Sequence, residues 1–329
     1  MNSSKILFLT ILFLSTMITM SSNNWTGMWM GLEMNLMAFI PFISKNKEKS
    51  SSQAMMIYFL TQSIGSMILL FSILMSSLSI IKPFINDMML SLMMISLFIK
   101  LGAAPFHFWL PEMLSNLKWM EASMLMTWQK LAPLTILSNL NNHSIFYISI
   151  ILSTMVGSIG GLNQTSLRKI LAYSSINHLS WMMMFISTSA NWYKYLTIYS
   201  MLIIMLCYFL NWNNIYFINQ MNSSSFSLTE KYFYMIMMLS IGGLPPFLGF
   251  LPKWMVIQNM IQSNTMFIMI IMMLFSLITL FYYLRMMSAL ILNYSTINKW
   301  NFKYPNNALI SLILYINLML PMFSTFNFF

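Results

Sequence analysis

Charged residues are scarce in this 329-residue chain, and that scarcity indicates its class. They make up 7% of the chain, against 58% hydrophobic residues, whereas soluble domains carry about 25% charged residues. No charge occurs between residues 50 and 81 or between residues 195 and 229. A helix needs about 20 apolar residues to cross a bilayer, and these runs lack the period-two alternation of membrane barrels. The composition predicts an all-α polytopic membrane protein.

Cysteine is equally rare, because Cys207 is the only one in the chain. A single cysteine excludes an internal disulfide framework, an iron–sulfur cluster and a thiolate zinc site. The sequence also has no glycine-rich phosphate loop and no dinucleotide fingerprint. The chain is therefore expected to hold no metal, redox cofactor or nucleotide of its own.

Valine and arginine are each present only twice, whereas methionine occurs 39 times. No packing requirement explains this choice of residues. It indicates a very AT-rich gene read with a code that enlarges methionine usage, as in animal mitochondria. The pattern bears on the origin of the chain and says nothing about its function.

The apolar runs predict about eleven transmembrane helices within a single membrane domain, residues 1–329. The first run resembles a signal peptide, but no small-residue cleavage site follows it, so it is expected to stay as a helix. The connections are short and rich in Asn, Ser, Lys and Pro. The predicted spans cover residues 3–20, 25–44, 52–80, 84–111, 119–139, 144–162, 167–188, 194–214, 230–262, 265–293 and 306–325.

Lysine and arginine are distributed unequally between the two sides of this predicted topology. The odd-numbered connections hold only Lys82 and Lys194. By the positive-inside rule, the N-terminus then faces the side of synthesis, and eleven spans place the C-terminus opposite. The net charge of +10 is thus attributed to one membrane face and not to nucleic-acid binding. The N-terminus and even-numbered connections hold Lys5, Lys45, Lys47, Lys49, Lys118, Arg168, Lys169, Lys231, Arg285, Lys299 and Lys303.

Four charged residues remain inside the predicted spans. Lys100, Lys130 and Lys253 are the cations, and Glu33 is the matching acid. A charge at bilayer depth costs at least about 2.5 kcal/mol on insertion scales, and such residues are usually functional. These four side chains are therefore the first candidates for a site.

Two of the predicted spans contain helix-breaking residues near a buried lysine. Pro105 follows Lys100 in KLGAAPFHFWLPE, and a Gly-Gly-Leu-Pro-Pro run precedes Lys253 in SIGGLPPFLGFLPKW. Broken backbone at membrane depth is tolerated only within protein or beside a water-filled cavity. The two broken spans are five apart, as are the spans holding Glu33 and His178. Five is odd, so this layout predicts two inverted five-helix repeats, at about 1–140 and 143–293, followed by a C-terminal helix at about 306–325.

Buried lysines beside helix breaks suggest proton transfer. Burial disfavours the ammonium form of lysine, and a nearby carboxylate favours it, so moving the carboxylate changes the proton affinity of the lysine. We therefore hypothesise that Lys100 titrates and that Glu33 tunes it. Lys130 would be the next group to bind the proton, and Lys253 would be the proton-binding group beyond the second break.

Simpler interpretations of the same residues stay open at this stage. Lys253 and Lys130 could reach an interface by snorkelling, and Lys100 with Glu33 could form a purely structural ion pair. His107 and His178 could be hydrogen-bonded packing residues. Arg168 and Lys169 are expected to be interfacial anchors, and Glu112 and Glu121 are expected at the surface.

Five motifs together are specific to one family. They are GLEMNLMAFIP, KLGAAPFHFWLPE, TWQKLAP, GGLNQTSLRKILAYSSINHLSW and SIGGLPPFLGFLPKW. They resemble those of the mitochondrial NADH dehydrogenase subunit 2 family in its animal, and particularly arthropod, form, which is one of the antiporter-like membrane subunits of respiratory complex I. The resemblance extends from the first span to about residue 290.

The resemblance implies a role for each matching residue. Glu33 corresponds to the family's tuning glutamate, Lys100 to the lysine on the first broken helix, and Lys253 to the lysine on the second. Lys130 matches the central connecting lysine, and His178 matches the histidine of the central polar axis. His107 is a further candidate for the proton pathway.

The resemblance also implies a setting. The chain would be a core subunit of the proton-pumping membrane arm, located in the inner mitochondrial membrane with its N-terminus in the matrix. Its neighbours would be subunit 4L, the antiporter-like subunit 4, accessory subunits covering the flank left by three missing helices, and lipids such as cardiolipin. NADH, FMN, iron–sulfur clusters and ubiquinone would bind to other subunits. An independent cation/proton antiporter and a non-conducting structural subunit remain the alternatives.

Overall fold

A computed structural model describes residues 3–44, 49–78, 83–140, 144–188, 190–223, 228–292 and Asn317. Within these ranges the chain is helical and has no β-strand, apart from an isolated bridge between Ser166 and Phe217. The chain forms two compact units, Met1–Ser153 and Thr154–Phe329. The all-helical class predicted from composition is confirmed.

The first unit contains seven complete helices and the start of an eighth. Helices α1 and α2 pack closely, because Gly31 of α2 lies against Ser15 and Thr19 of α1. Helix α8 continues across the boundary between the units. The helices are α1 (Ser3–Ser21), α2 (Trp25–Ile43), α3 (Lys49–Leu78), α4 (Pro83–Leu101), α5 (Trp109–Asn116), α6 (Trp119–Met126), α7 (Leu131–Ser138) and α8 (Ser144–Leu162).

The second unit is organised around α9, the most deeply buried helix of that unit. Its core-facing residues run almost without interruption from Leu167 to Ile186, so other elements cover it on nearly all sides. The helices are α9 (Leu167–Ser187), α10 (Trp192–Trp212), α11 (Ile218–Ser223), α12 (Leu228–Gly242), α13 (Phe250–Gln262) and α14 (Met266–Leu292).

Four of the described helices are long and apolar enough to cross a membrane by themselves. The count of eleven spans therefore stays a prediction. The span expected at 306–325 lies outside the described residues, except that Asn317 is helical. The segments with clear spanning character are Lys49–Ser76, Ser144–Leu162, Trp192–Trp212 and Met266–Ser288.

The break predicted after Lys100 is present, and a hydrogen-bonded glycine turn forms it. Helix α4 ends at Leu101, and Gly102 has φ +71°, a left-handed conformation that glycine adopts without steric cost. Gly102 N donates to Ile99 O at 3.3 Å, and Ala103 N donates to Phe98 O at 3.0 Å. This pair of bonds is the Schellman motif that closes many helices. The chain resumes as α5 at Trp109.

The second predicted break repeats this arrangement. Helix α12 ends at Gly242, and Gly243 has φ +78°. Gly243 N donates to Ser240 O at 3.0 Å, and Leu244 N donates to Leu239 O at 3.3 Å, so the same motif ends the helix. Both helix breaks predicted from the Gly and Pro positions are confirmed.

A third break, which the sequence analysis did not predict, lies at Lys130. The expected continuous helix over 119–139 is wrong, because a 3₁₀ turn at Trp128–Lys130 separates α6 from α7. Pro133 explains the interruption. Its ring clashes with the carbonyl of the residue four positions earlier, Gln129, and it has no amide hydrogen to donate there. Lys130 is therefore on a helix break, as Lys100 is.

Contacts within each unit agree with the alternating topology. In the first unit, Lys5 near the start of α1 contacts Glu121 at the start of α6 and lies 5.5 Å from the ring centre of Phe42 at the end of α2. In the second unit, Arg285 donates to the carbonyls of Leu162 and Gln164. The ends assigned to one face by the cation count thus meet within each unit.

Candidate functional site

Lys100 lies inside the first unit, where neighbouring helices support both its side chain and its backbone. It is 6% exposed. Its stem packs against Gly65 of α3, since a Cβ atom there would lie 3.1 Å from Lys100 Cγ. The break leaves carbonyls without helical partners. Side chains supply donors there: Gln62 Nε2 donates to Lys100 O at 3.1 Å, and Trp109 Nε1 is a second donor to Ile99 O, at 3.0 Å, besides Gly102 N.

Lys130 is 3% exposed and lines the same cavity as Lys100. This cavity has a volume of about 20 Å³, which is enough for about one ordered water molecule. Most of the polar groups on its wall come from amide and hydroxyl side chains, and polar cavities of this kind hold ordered water. Its lining residues are Leu32, Asn35, Leu36, Tyr58, Gln62, Lys100, Leu101, Trp109, Leu110, Leu125, Gln129, Lys130 and Pro133.

The polar wall of this cavity is a hydrogen-bonded chain. Tyr58 OH donates to Gln129 Oε1 at 3.4 Å, and Gln129 Nε2 donates to Asn35 Oδ1 at 3.1 Å. The sequence analysis missed these residues and Gln62. A signal was present, because Gln62 interrupts a charge-free apolar run and Asn35 follows Glu33 by two residues. The candidate site therefore contains side-chain amides as well as the predicted lysines.

Glu33 lies near Lys100 without touching it. It is half-buried on α2, and its Oε1 is buried with no hydrogen-bond partner among the described residues. Its charge is close enough to act electrostatically on Lys100, yet no ion pair within 4 Å joins these two described side chains. Glu33 also lies outside the cavity lining. The geometry suits attraction through intervening space better than a structural ion pair.

The hydrogen bond and the ring contact of His107 among the described residues are both local, although the side chain is buried. It lies in the turn between α4 and α5, and its Nδ1 is 3.2 Å from Pro105 O. Its ring centre is 4.1 Å from that of Phe108. It is not among the residues that line the cavity. These contacts agree with the open alternative of a hydrogen-bonded packing residue.

Lys253 is buried in the second unit beside the second break. It is 5% exposed, and its Nζ donates to Gly242 O at 2.7 Å. Gly242 is the last residue of α12, so the lysine supplies a partner for a carbonyl that the break has freed. The ammonium also lies 5.9 Å from the ring centre of Trp181, within cation–π range. Snorkelling to an interface does not describe this position.

His178 is one turn before Trp181 on α9 and is also buried. Its Nδ1 is 2.9 Å from Tyr195 OH, and its ring centre is 4.8 Å from that of Tyr199. Lys253 and His178 thus approach the same buried helix. The structure brings together Lys100 with Lys130 in the first unit, and Lys253 with the helix of His178 in the second.

Glu121 corrects one expectation from the sequence. It was expected at the surface, but it is 5% exposed and pairs with Lys5 at 3.3 Å. Nothing local in the sequence indicates a partner so far away in the chain. Glu112 is exposed, as expected. At the start of α9, Arg168 lies 4.7 Å from the ring centre of Tyr216, and its role as an interfacial anchor stays a prediction.

Broken helices beside buried lysines define an antiporter-like class of polytopic membrane protein. The family model described as NADH:quinone oxidoreductase/Mrp antiporter, transmembrane, matches residues 22–279. NADH-ubiquinone oxidoreductase chain 2 of Anopheles gambiae is 45% identical over 95% of this chain and 94% of its own length. The Locusta migratoria protein of the same name is 43% identical over 94% and 92%. The chain belongs to the NADH-ubiquinone oxidoreductase chain 2 family.

Solved structures show the same fold at lower sequence identity. A chain of respiratory complex I from Thermus thermophilus with bound aureothin has a TM-score of 0.80 and 20% identity, covering 88% of this chain and 70% of that one. A chain of the membrane-bound sulfane sulfur reductase, an archaeal respiratory membrane complex, has a TM-score of 0.83 and 15% identity, covering 97% and 72%. These likenesses support the fold alone.

Proposed function

We propose that this chain is a membrane-arm subunit of respiratory complex I and contributes a proton pathway to it. It acts as part of the proton-translocating NADH:ubiquinone oxidoreductase. The observation that carries the pathway is the shared cavity, because two buried lysines, Lys100 and Lys130, both line it within an apolar chain.

The proposed chemistry is proton exchange between lysines through cavity water. Lys100 and Lys130 bind and release protons in turn, and the amide wall orients the water between them. The carboxylate of Glu33 sets the proton affinity of Lys100 by attraction, and a change in their separation would load or unload the lysine. In the second unit, Lys253 and His178 provide the corresponding groups beside the second break.

We assign the redox chemistry to other subunits. The chain has one cysteine and no nucleotide motif, so NADH, FMN, iron–sulfur clusters and ubiquinone are expected to bind elsewhere in the complex. The expected partners are the other membrane-arm subunits, with subunit 4L and the antiporter-like subunit 4 as neighbours, together with accessory subunits. Cardiolipin is expected at the cation-rich face, where anionic lipid meets lysine and arginine.

Replacement of Lys130 by glutamine tests the pathway directly. Glutamine keeps a hydrogen-bonding group in the cavity but does not exchange a proton at physiological pH, so proton uptake per NADH oxidised is expected to fall severalfold. Assembly should be retained, because the variant removes a buried charge. Lys118→Gln, at an exposed lysine, is the matched control and should pump normally.

The same variants separate the competing functions. Unaltered pumping by assembled Lys130→Gln complexes would favour a non-conducting structural subunit. Cation/proton exchange by the purified chain in vesicles would favour an independent antiporter. Loss of pumping by Lys130→Gln complexes, with normal pumping by Lys118→Gln complexes, supports the proposal.

We also propose an orientation in the inner mitochondrial membrane, with the N-terminus and even-numbered connections in the matrix. The loop at 45–48 lies outside the described residues, so described positions provide the test. A cysteine at Lys118 should react with an impermeant thiol reagent only after the inner membrane is opened, whereas one at Asn191 should react in intact mitoplasts. Native Cys207 is buried and gives little background. The reverse pattern of labelling would contradict the orientation.

A further inference from the structure

Five buried tyrosines meet in the second unit, although none of them was selected by the sequence analysis. They come from α10, α12 and α14, and each is at most 2% exposed. We call them the tyrosine cluster. Its members are Tyr195, Tyr199, Tyr234, Tyr282 and Tyr283.

Tyr283 is the centre of the tyrosine cluster. Its ring centre lies 4.6 Å from that of Tyr282, and its side chain is close enough to interact electrostatically with Tyr195, Tyr199 and Tyr234. Side chains from three helices therefore direct their polar ends toward one region.

The tyrosine cluster extends between two residues of the proposed pathway. At one end, Tyr195 OH is 2.9 Å from His178 Nδ1. At the other end, Tyr283 packs against the second break, since a Cβ atom on Gly242 would lie 3.5 Å from Tyr283 Cδ2. The carbonyl of the same Gly242 accepts the hydrogen bond from Lys253 Nζ. The cluster thus contacts His178 through a hydroxyl, and the ring of Tyr283 packs against the break whose carbonyl binds Lys253.

Burying the hydroxyl groups of this cluster costs free energy unless each group has a hydrogen-bond partner. The hydroxyl of Tyr234 is buried and has no hydrogen-bond partner among the described residues. Tyr283 OH lies within hydrogen-bonding reach of Ser174 and Tyr282. An unpartnered buried hydroxyl costs about 1–3 kcal/mol, and phenylalanine would fill the same space without that cost. Buried polar groups of this kind are normally satisfied by internal water.

We propose that the tyrosine cluster, together with internal water, is the proton connection between His178 and Lys253. In each step a hydroxyl donates its proton to a neighbouring oxygen and receives another from a water molecule on its other side. No tyrosine needs to ionise, and no net charge stays in the cluster. The inference rests on the proposed function, which it extends by naming the groups that carry the proton within the second unit.

Tyr283→Phe is the decisive substitution, because it removes one hydroxyl and keeps the ring. Assembled complex I carrying it is expected to lose proton uptake severalfold, with its amount on native gels unchanged. Tyr195→Phe should behave alike, since it breaks the contact with His178. Tyr208→Phe is the matched control, because Tyr208 is on α10 with a side chain 51% exposed, and it should pump normally.

Lys253→Met, measured in the same membranes, separates failure of this inference from failure of the proposed function. If Lys253→Met and Lys253→Arg both stop pumping and both tyrosine variants pump normally, the tyrosine connection is wrong and the lysine pathway stands. If all four variants pump normally, the proposed function is wrong as well. Should the tyrosine variants fail to assemble, a high-resolution map of the unaltered complex decides: water beside Tyr283 OH supports the connection, and a dry cluster overturns it.

Discussion

Replacing Lys100 with methionine is expected to leave complex I assembled and to lower its proton pumping about tenfold or more, since a positioned proton-transfer group contributes roughly 10²–10⁴-fold. Methionine fills much of the space that the lysine stem occupies against Gly65. It also removes a charge that burial makes costly, so the fold should not suffer. The measurements are assembled complex, NADH:quinone turnover and proton uptake in the same membranes.

Glu33→Gln should have a milder effect, because it alters the attraction acting on Lys100 and leaves the titrating group in place. Lys49→Met, at an exposed lysine at the start of α3, controls for the loss of a positive charge and should pump normally. If Lys100→Met complexes assemble and pump with an unaltered proton-to-electron ratio and rate, Lys100 is structural. No proton would then pass through Lys100.

Lys253→Met is expected to reduce pumping as strongly and to weaken the second break as well. The substitution leaves Gly242 O without the donor that now lies 2.7 Å away, and an unsatisfied buried carbonyl costs about 1–3 kcal/mol. The amount of assembled complex should therefore fall moderately, unlike in Lys100→Met, where Gln62 and Trp109 still hold the freed carbonyls.

Lys253→Arg distinguishes a proton carrier from a helix cap. Arginine keeps the charge and a donor for Gly242 O, but it does not release its proton in proteins. Assembled Lys253→Arg complexes that fail to pump would identify Lys253 as a carrier. Normal pumping by Lys253→Arg, with loss only in Lys253→Met, would mean that the lysine acts as a cap and that proton transfer does not pass through it.

Local signals made the helix positions and two of the breaks predictable. The spans predicted at 3–20, 144–162 and 167–188 correspond to α1, α8 and α9 within a residue or so, because long apolar runs separated by polar residues carry that information. The breaks after Lys100 and before Lys253 followed from glycine and proline. The break at Lys130 was missed although Pro133 signalled it, because the surrounding run is otherwise uniformly helical in character.

Contacts between distant segments were not predictable in the same way. The cavity amides, the tyrosine cluster and the partner of Glu121 depend on which helices pack together, and hydrophobic periodicity alone does not encode that choice. Buried lysines could be selected because a charge within an apolar run is costly wherever it lies. A buried tyrosine in an apolar run carries no such warning, because its ring packs as phenylalanine does.

The ion pair between Lys5 and Glu121 also sets an order of events during synthesis. The two residues are 116 positions apart, so at about 5–20 residues per second the lysine emerges roughly 6 to 23 s before its partner exists. Throughout that interval the ammonium of Lys5 on α1 lacks its carboxylate partner on α6. Closure of the first unit is therefore timed by the arrival of α6. A chaperone or insertase that recognises nascent forms of this protein would encounter α1 with its cation still accessible.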